Sequence, residues 1–377
     1  MIAFDKYQTI YEEATKLLTE GKVDDLKKML IASLKTVEDE GVLQTMIDTL
    51  QEPVIRENLI KWTSSKGLPL AMVEMLTVKL LRTRDLTTEQ KVKFAKDLGE
   101  GNYYLDFGAM LKSSEAKKVN PSNFYKIDSQ VAEWVWANTK DEKSASLLAA
   151  STNIGKGEVP FVILGGLGKP SKGDLEFGSS MIEVKEGGGA AMIPKGMVHP
   201  TNFMKDMQTL LKKKLPSSVF AKLPTQLSKA GDSLSKMLSI SDKYGFPFGQ
   251  FCKENNVSVA VCKEIMQKFI DMVYPYKFDI KKYISNDYKF DTKRFGKDSF
   301  VSNFLQYQKG YGFSHLMYLF SGQKKTPPFI YSMRGKADAE KFYDACGVCD
   351  FSGTDAFGRY ASFGGMYNVA LMKKNLR

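Results

Sequence analysis

Residues 173–189 read GDLEFGSSMIEVKEGGG, and the fold turns on reading them as a β-hairpin. DLEFG and MIEVKE are two short runs separated by a small polar turn. Strand side chains alternate faces, so Glu183 and Lys185 share one face while Ile182 and Val184 point to the core. The hairpin brings Asp174 beside them. Asp174 and Glu183 on adjacent strands, with the backbone carbonyl of Val184, form a partial shell of hard oxygens for Mg²⁺, with Mn²⁺ as a substitute. The remaining coordination positions are left to waters and a phosphate. Glu176 rivals Asp174 by alternation, but it lies at the turn side of its strand, so Asp174 is the preferred ligand.

This set of residue types suits phosphodiester hydrolysis. A divalent metal lowers the pKa of the attacking water and neutralises charge building on the phosphorus oxygens. Lys185 would orient or help deprotonate that water and counter the same charge. Carboxylates pull its pKa up while the cation and burial pull it down, so its protonation state stays open. Gly187, Gly188 and Gly189 offer backbone amides to a phosphate, or alternatively a flexible strand exit.

Outward from the hairpin, residues 1–127 read as helices without strand signals, in segments such as DDLKKMLIASLKTV, GVLQTMIDTL and EPVIRENLIKWTSSKG. In the first of these, Leu26, Met29, Leu30 and Leu34 fall on one helical face. IDSQVAEWVWANTKDEKSASLLAAS again reads as helix before the Gly-rich NIGKGEVPFVILGGLGKPSKG. Residues 201–300 are mostly helical and Lys-rich, SFVSNFLQYQKGYG reads as helix, and HLMYLF and PFIYSM read as strands. FGRYASFGGMYNVALMKK resembles a further strand pair. The order implies a mixed α/β domain interrupted in its middle.

Charge is distributed unevenly along the 377 residues: residues 1–150 carry 21 basic and 23 acidic side chains, whereas the rest carry 33 and 20. Residues 201–300 alone hold 18 basic and 10 acidic groups. A polyanion is therefore attracted to the second part, and Lys212, Lys213 and Lys214 are candidate phosphate contacts. Gln306 and Gln308 are candidate polar groups facing the site; His199 and His315 are given packing roles. Cys346 and Cys349 form one Cys-x-x-Cys without further ligands at zinc spacing, and four cysteines in all fit a reducing compartment. No run reaches the ~18 to 20 apolar residues of a membrane span, and the opening MIAFDKYQTIYEEA lacks a basic flank followed by an apolar run.

Gly-Asp at 173–174 and Glu-Val-Lys at 183–185 resemble the PD-(D/E)XK nuclease superfamily, with Gly173 in place of the usual proline. The resemblance implies a restriction-endonuclease-like α/β core, a mixed sheet flanked by helices, and adds Glu158 of GKGEVPFVIL as an acidic residue completing the site. GKGE, GDLE and IEVK are also similar to nuclease-like domains of tailed-bacteriophage proteins; there Gly-Gly-Arg follows the lysine, whereas here Gly187–Gly189 run into Ala190 and Ala191. The expected organisation is a helical N-terminal domain over 1–127 and a nuclease-like domain over 128–377, interrupted by a basic helical insertion at about 201–300. The expected activity is Mg²⁺-dependent cleavage of DNA in the cytoplasm, or in host cytoplasm or virion if phage-encoded, with no membrane partner. The N-terminal helices would serve a protein partner or self-association. The alternatives are a virion component that keeps the nuclease fold without turnover, and a nucleic-acid-binding module that works through its basic insertion.

Overall fold

A computed structural model of the protein describes residues 12–17, 19–33, 40–127, 129–139, 157–168, 173–186, 200–224, 234–242, 244–273, 277–320, 328–351 and 366–367. Helices come first: α1 (Val23–Ser33), α2 (Glu40–Ser65), α3 (Leu70–Arg82), α4 (Thr88–Glu100), α5 (Phe107–Ser114) and α6 (Ser129–Thr139). A short helix, α7 (Val159–Gly165), leads into β1 (Leu175–Phe177) and β2 (Ser180–Glu186). There follow α8 (Pro200–Lys214), α9 (Ser217–Phe220), α10 (Leu234–Met237), β3 (Ile240–Ser241), α11 (Pro247–Glu254), α12 (Val259–Val273) and the long α13 (Thr292–Tyr311). The chain then forms β4 (His315–Phe320), β5 (Phe329–Met333), α14 (Lys336–Cys346) and the two-residue strands β6 (Gly347–Val348), β7 (Asp350–Phe351) and β8 (Met366–Tyr367).

The main sheet has four strands in the order β1-β2-β4-β5, so the hairpin and the two apolar strands expected from sequence join in one sheet with helices before, between and after them. The protein thus has an α/β core. Strand β2 lies between β1 and β4. That position explains why Ile182, Glu183 and Val184 are all buried, rather than alternate residues only.

Three readings of sequence are corrected. GVLQTMIDTL and EPVIRENLIKWTSSKG are not two helices but one, α2, with Pro53 inside it. Proline in a helix interior costs about 3 kcal/mol. Burial of Ile55, Leu59 and Trp62 after the proline, and of Leu50 before it, opposes that cost. The Gly-rich stretch contains a helix, α7, ended by Gly166 in the left-handed conformation at φ 66°. The segment KADAEKFYDAC, given no element from sequence, is α14.

By contacts the chain divides into two compact units. The first unit comprises Met1–Ser113, Val119–Val184 and Leu319–Ile330. In it α2 packs on α3 and α4, and α6 on α7. Its aromatic centre is Trp136, whose ring meets Phe161 edge-on at 5.1 Å, with Phe161 in turn 5.7 Å from Phe107. Helix α4 begins with a full capping box between Thr87 and Gln90 and ends at Gly101 in the left-handed conformation.

The second unit comprises Ser114–Lys118, Lys185–Tyr318 and Tyr331–Arg377. Its core is filled from α8, α11, α12 and the start of α13, with Cys252, Cys262, Phe269 and Phe351 among the buried residues. Phe295 is fully buried, its ring 5.1 Å from Phe290, 5.4 Å from Tyr283, 5.6 Å from Phe278 and 6.2 Å from Phe351. Phe295→Ala is expected to destabilise this unit by about 3–5 kcal/mol, measured by urea unfolding of the full chain; a change under about 1 kcal/mol would contradict this packing.

Candidate functional site

The site is built on the β1–β2 hairpin. Leu175 stands opposite Ile182, Glu176 opposite Met181 and Phe177 opposite Ser180. One step beyond this ladder the backbone departs from regular pairing: the Asp174 N–H also donates to Ile182 O, at 2.9 Å. Two residues of one strand then face a single residue of the other, which is a bulge that re-aims the side chain it carries. The Asp174 carboxylate turns to β2, where Oδ2 accepts from the Val184 N–H at 2.8 Å. Asp174 is therefore fixed at both backbone and side chain, and the side-chain bond carries the added strength of an ionised acceptor.

Gly173 makes this geometry accessible. Its φ is +78°, and a Cβ there would stand 3.1 Å from Ile182 O. Proline holds φ near −65°, so the proline usual in the resembled motif does not fit this turn. The departure noted in sequence is thus a backbone requirement.

Glu183, on β2, is 5 % exposed. Lys185 follows two residues later and lays its Nζ 5.3 Å over the ring of Tyr307 on α13. A ring face attracts a cation at this range. Tyr307 was not singled out in the sequence, where it reads as one more apolar position of a helix; its partner is visible only in three dimensions. Glu176 pairs through its backbone with Gly168 on the outer side of β1, so its strand position serves the edge of the sheet.

Glu158 directly precedes α7 and is buried; its carbonyl accepts from the Phe161 and Val162 N–H groups. Helix α7 is buried throughout, and Leu164 O accepts from the Leu105 N–H at 2.9 Å. The structure does not bring Glu158 together with Asp174 and Glu183 as a three-acid set: among the described residues no group of three or more His, Cys, Asp or Glu side chains is placed to hold a metal ion. What remains is the Asp174 carboxylate just before β1 and the Glu183 carboxylate on β2, with the Val184 carbonyl directly after Glu183. All are hard oxygen donors, a set that fits a magnesium ion retaining several waters.

Lys212, Lys213 and Lys214 form the last turn of α8. Lys212 and Lys213 are exposed, whereas Lys214 pairs with Glu264 at 2.7 Å, which holds the Glu264 carboxyl below its ordinary range. Gln308 is structural: its amide donates to Ser314 O at 3.1 Å and Arg334 O at 3.0 Å. Gln306 is half-buried on the same helix.

His315 is buried; Nδ1 lies 2.9 Å from Ser314 Oγ and Nε2 lies 3.6 Å from Glu115. Burial pushes its pKa below the ordinary value, against the opposing pull of Glu115. Cys346 and Cys349 are buried thiols with no disulfide between them, and burial raises Cys346 to about 12. His199 and Gly187–Gly189 lie outside the described residues.

Compared with known proteins, the chain matches no family model, no curated protein and no solved structure. The site therefore stands on its own geometry.

Gly173→Pro is expected to destabilise the hairpin by about 1–3 kcal/mol, because the left-handed turn must be rebuilt. Thermal unfolding and amide exchange at Val184 measure it; unchanged protection of the Val184 N–H would contradict the role given to this turn.

Proposed function

We propose that this hairpin is the metal-holding element of a magnesium-dependent nuclease acting on DNA, on a core of the restriction-endonuclease-like kind with an all-α N-terminal region. The observation that carries the reading is the Asp174 carboxylate anchored on the Val184 N–H of β2, the strand that also carries buried Glu183 and, two residues further along, Lys185. The sequence resemblance of Gly173-Asp174 and Glu183-Val184-Lys185 to the PD-(D/E)XK nucleases supports it. The basic excess of residues 201–300 supports a polyanionic substrate.

In this reading Asp174, Glu183 and the Val184 carbonyl hold Mg²⁺ or Mn²⁺. Once bound, the ion supplies positive charge to the phosphate and acidifies water. Asp174 is kept in place by the Val184 N–H, so its carboxylate is preorganised and needs no reorientation when substrate arrives. Lys185 counters the charge that develops on the phosphorus oxygens as water attacks and the P–O bond to the leaving strand breaks. Its ammonium is steadied by the Tyr307 ring. Exposed Lys212 and Lys213, on the second unit, are candidate phosphate contacts in their own right. Lys214 is less available because of Glu264.

A second reading, DNA contact without turnover, is favoured by one observation: no three-acid metal group exists among the described residues. Incubation of linear and circular DNA with Mg²⁺ or Mn²⁺, against EDTA, separates the two. The nuclease reading expects cleavage in metal only, with Glu183→Ala and Lys185→Ala each losing at least about 100-fold in rate. DNA binding without cleavage in either metal would support the second reading. Equal cleavage by wild type and both variants would remove the site from the chemistry.

A further inference from the structure

The first unit holds an open cleft of 520 Å³ away from the carboxylate pair. Its walls come from the end of α4, the start of α5, the loop at Lys126, the last residue of α7 and the end of β1. That volume falls in the range of small-molecule sites, roughly 300–1,000 Å³. The lining combines three chemistries.

One is an aromatic face. Phe177, at the end of β1, is 37 % exposed, an unusual state for a large apolar ring next to a cleft. It is held from behind by Phe107, 5.2 Å away, and it lies so close to Gly108 that a Cβ there would stand 3.2 Å from the ring. The ring is thus fixed on one side and presented on the other.

The second is a pair of lysines, each beside an aspartate of the same lining. Lys93 and Lys126 line the cleft, with side chains 57 % and 53 % exposed. Lys93 is steadied by Asp97 at 2.7 Å, and Asp97 also accepts from the Tyr104 hydroxyl at 2.7 Å. The third is an acceptor. Asp106 uses Oδ1 to accept from the Ala109 N–H at 3.1 Å, while Oδ2 lies 3.7 Å from Lys126, longer than a hydrogen bond.

Position relates the cleft to the hairpin. Gly165 in its wall ends the helix that starts after Glu158, and Phe177 ends the strand that starts after Asp174. At ~3.3 Å per residue along the strand, Asp174 lies roughly 10 Å from Phe177 along its own element. That equals about three steps of a stacked nucleic-acid strand at ~3.4 Å each.

We infer that this cleft is a nucleotide-binding site: a base stacks on Phe177 and offers its amino or imino N–H to Asp106, and the phosphate sits between Lys93 and Lys126. The inference rests on the nuclease reading above for its biological sense, since the occupant would be a nucleotide of the strand being cut. Its simplest ligand is a free nucleoside 5′-monophosphate. A base with a phosphate satisfies the face, the acceptor and the cations together, which an inorganic anion does not.

The test is calorimetric titration of the full-length Glu183→Ala protein, in EDTA, with dAMP, dGMP, dCMP and dTMP. Inorganic phosphate and free tryptophan serve as comparison ligands. Because no metal and no turnover are involved, failure of the nuclease reading leaves this measurement intact, and the reverse also holds. The expected result is binding of the nucleotides, weakened about tenfold or more by Phe177→Ala. It should also be weakened by Lys93→Ala with Lys126→Ala, and that double variant should flatten the salt dependence. These lysines are more than half exposed, so the double variant tests the site even if loss of Phe177 disturbs the hairpin. Absence of nucleotide binding at millimolar concentration would overturn the inference. So would binding that neither variant weakens, or tryptophan or phosphate binding as tightly as the nucleotides.

Discussion

The hydrogen bond from the Val184 N–H to the Asp174 carboxylate is the contact on which the candidate chemistry depends. A strand amide that would otherwise face a backbone carbonyl meets an ionised side chain instead. This is possible because Gly173 turns the chain through a left-handed conformation and lets the Asp174 N–H share Ile182 O with the regular ladder. The result holds the Asp174 carboxylate against the backbone of β2, the strand that carries Glu183, with little freedom to move. A buried carboxylate such as Glu183 is costly without compensation. A divalent cation would relieve that cost, which is the physical reason for proposing a metal on this hairpin.

The surrounding fold keeps the hairpin rigid. Strand β2 is interior to the sheet, and α7 is buried on all sides with its end bonded to Leu105. Functional groups on such elements are held more closely than groups on loops. The helices of the first unit supply the aromatic packing of Trp136, Phe161 and Phe107 that seats α7, so they have a structural share in the site as well as any role in assembly.

Much of this arrangement was legible in the sequence where the information is local. The turn between DLEFG and MIEVKE and the period-two alternation announce the hairpin, and the apolar runs HLMYLF and PFIYSM announce its sheet partners. What escaped was tertiary. Pro53 suggested a helix start, yet α2 carries through it with buried residues before and after. Glu158 directly precedes α7 and is buried, and among the described residues it joins no three-acid group. Lys214 looked equivalent to Lys212 and Lys213 until Glu264, fifty residues away, claimed it. Tyr307 and Phe177 carry no signal in a single sequence, since an aromatic residue beside a cation or a cleft looks like any core residue. A linear charge and helix pattern likewise does not show that residues 319–330 cluster by contacts with the first unit.

The central claim, a hard-oxygen metal site on the hairpin, is tested most directly by Mn²⁺ titration followed by electron paramagnetic resonance, with Mg²⁺ as competitor. The wild-type chain should bind Mn²⁺ in competition with Mg²⁺, and the Asp174→Asn, Glu183→Gln double variant should lose that binding while keeping its helical circular dichroism. Undiminished Mn²⁺ binding by the folded double variant, or no binding by the wild type, would contradict the account.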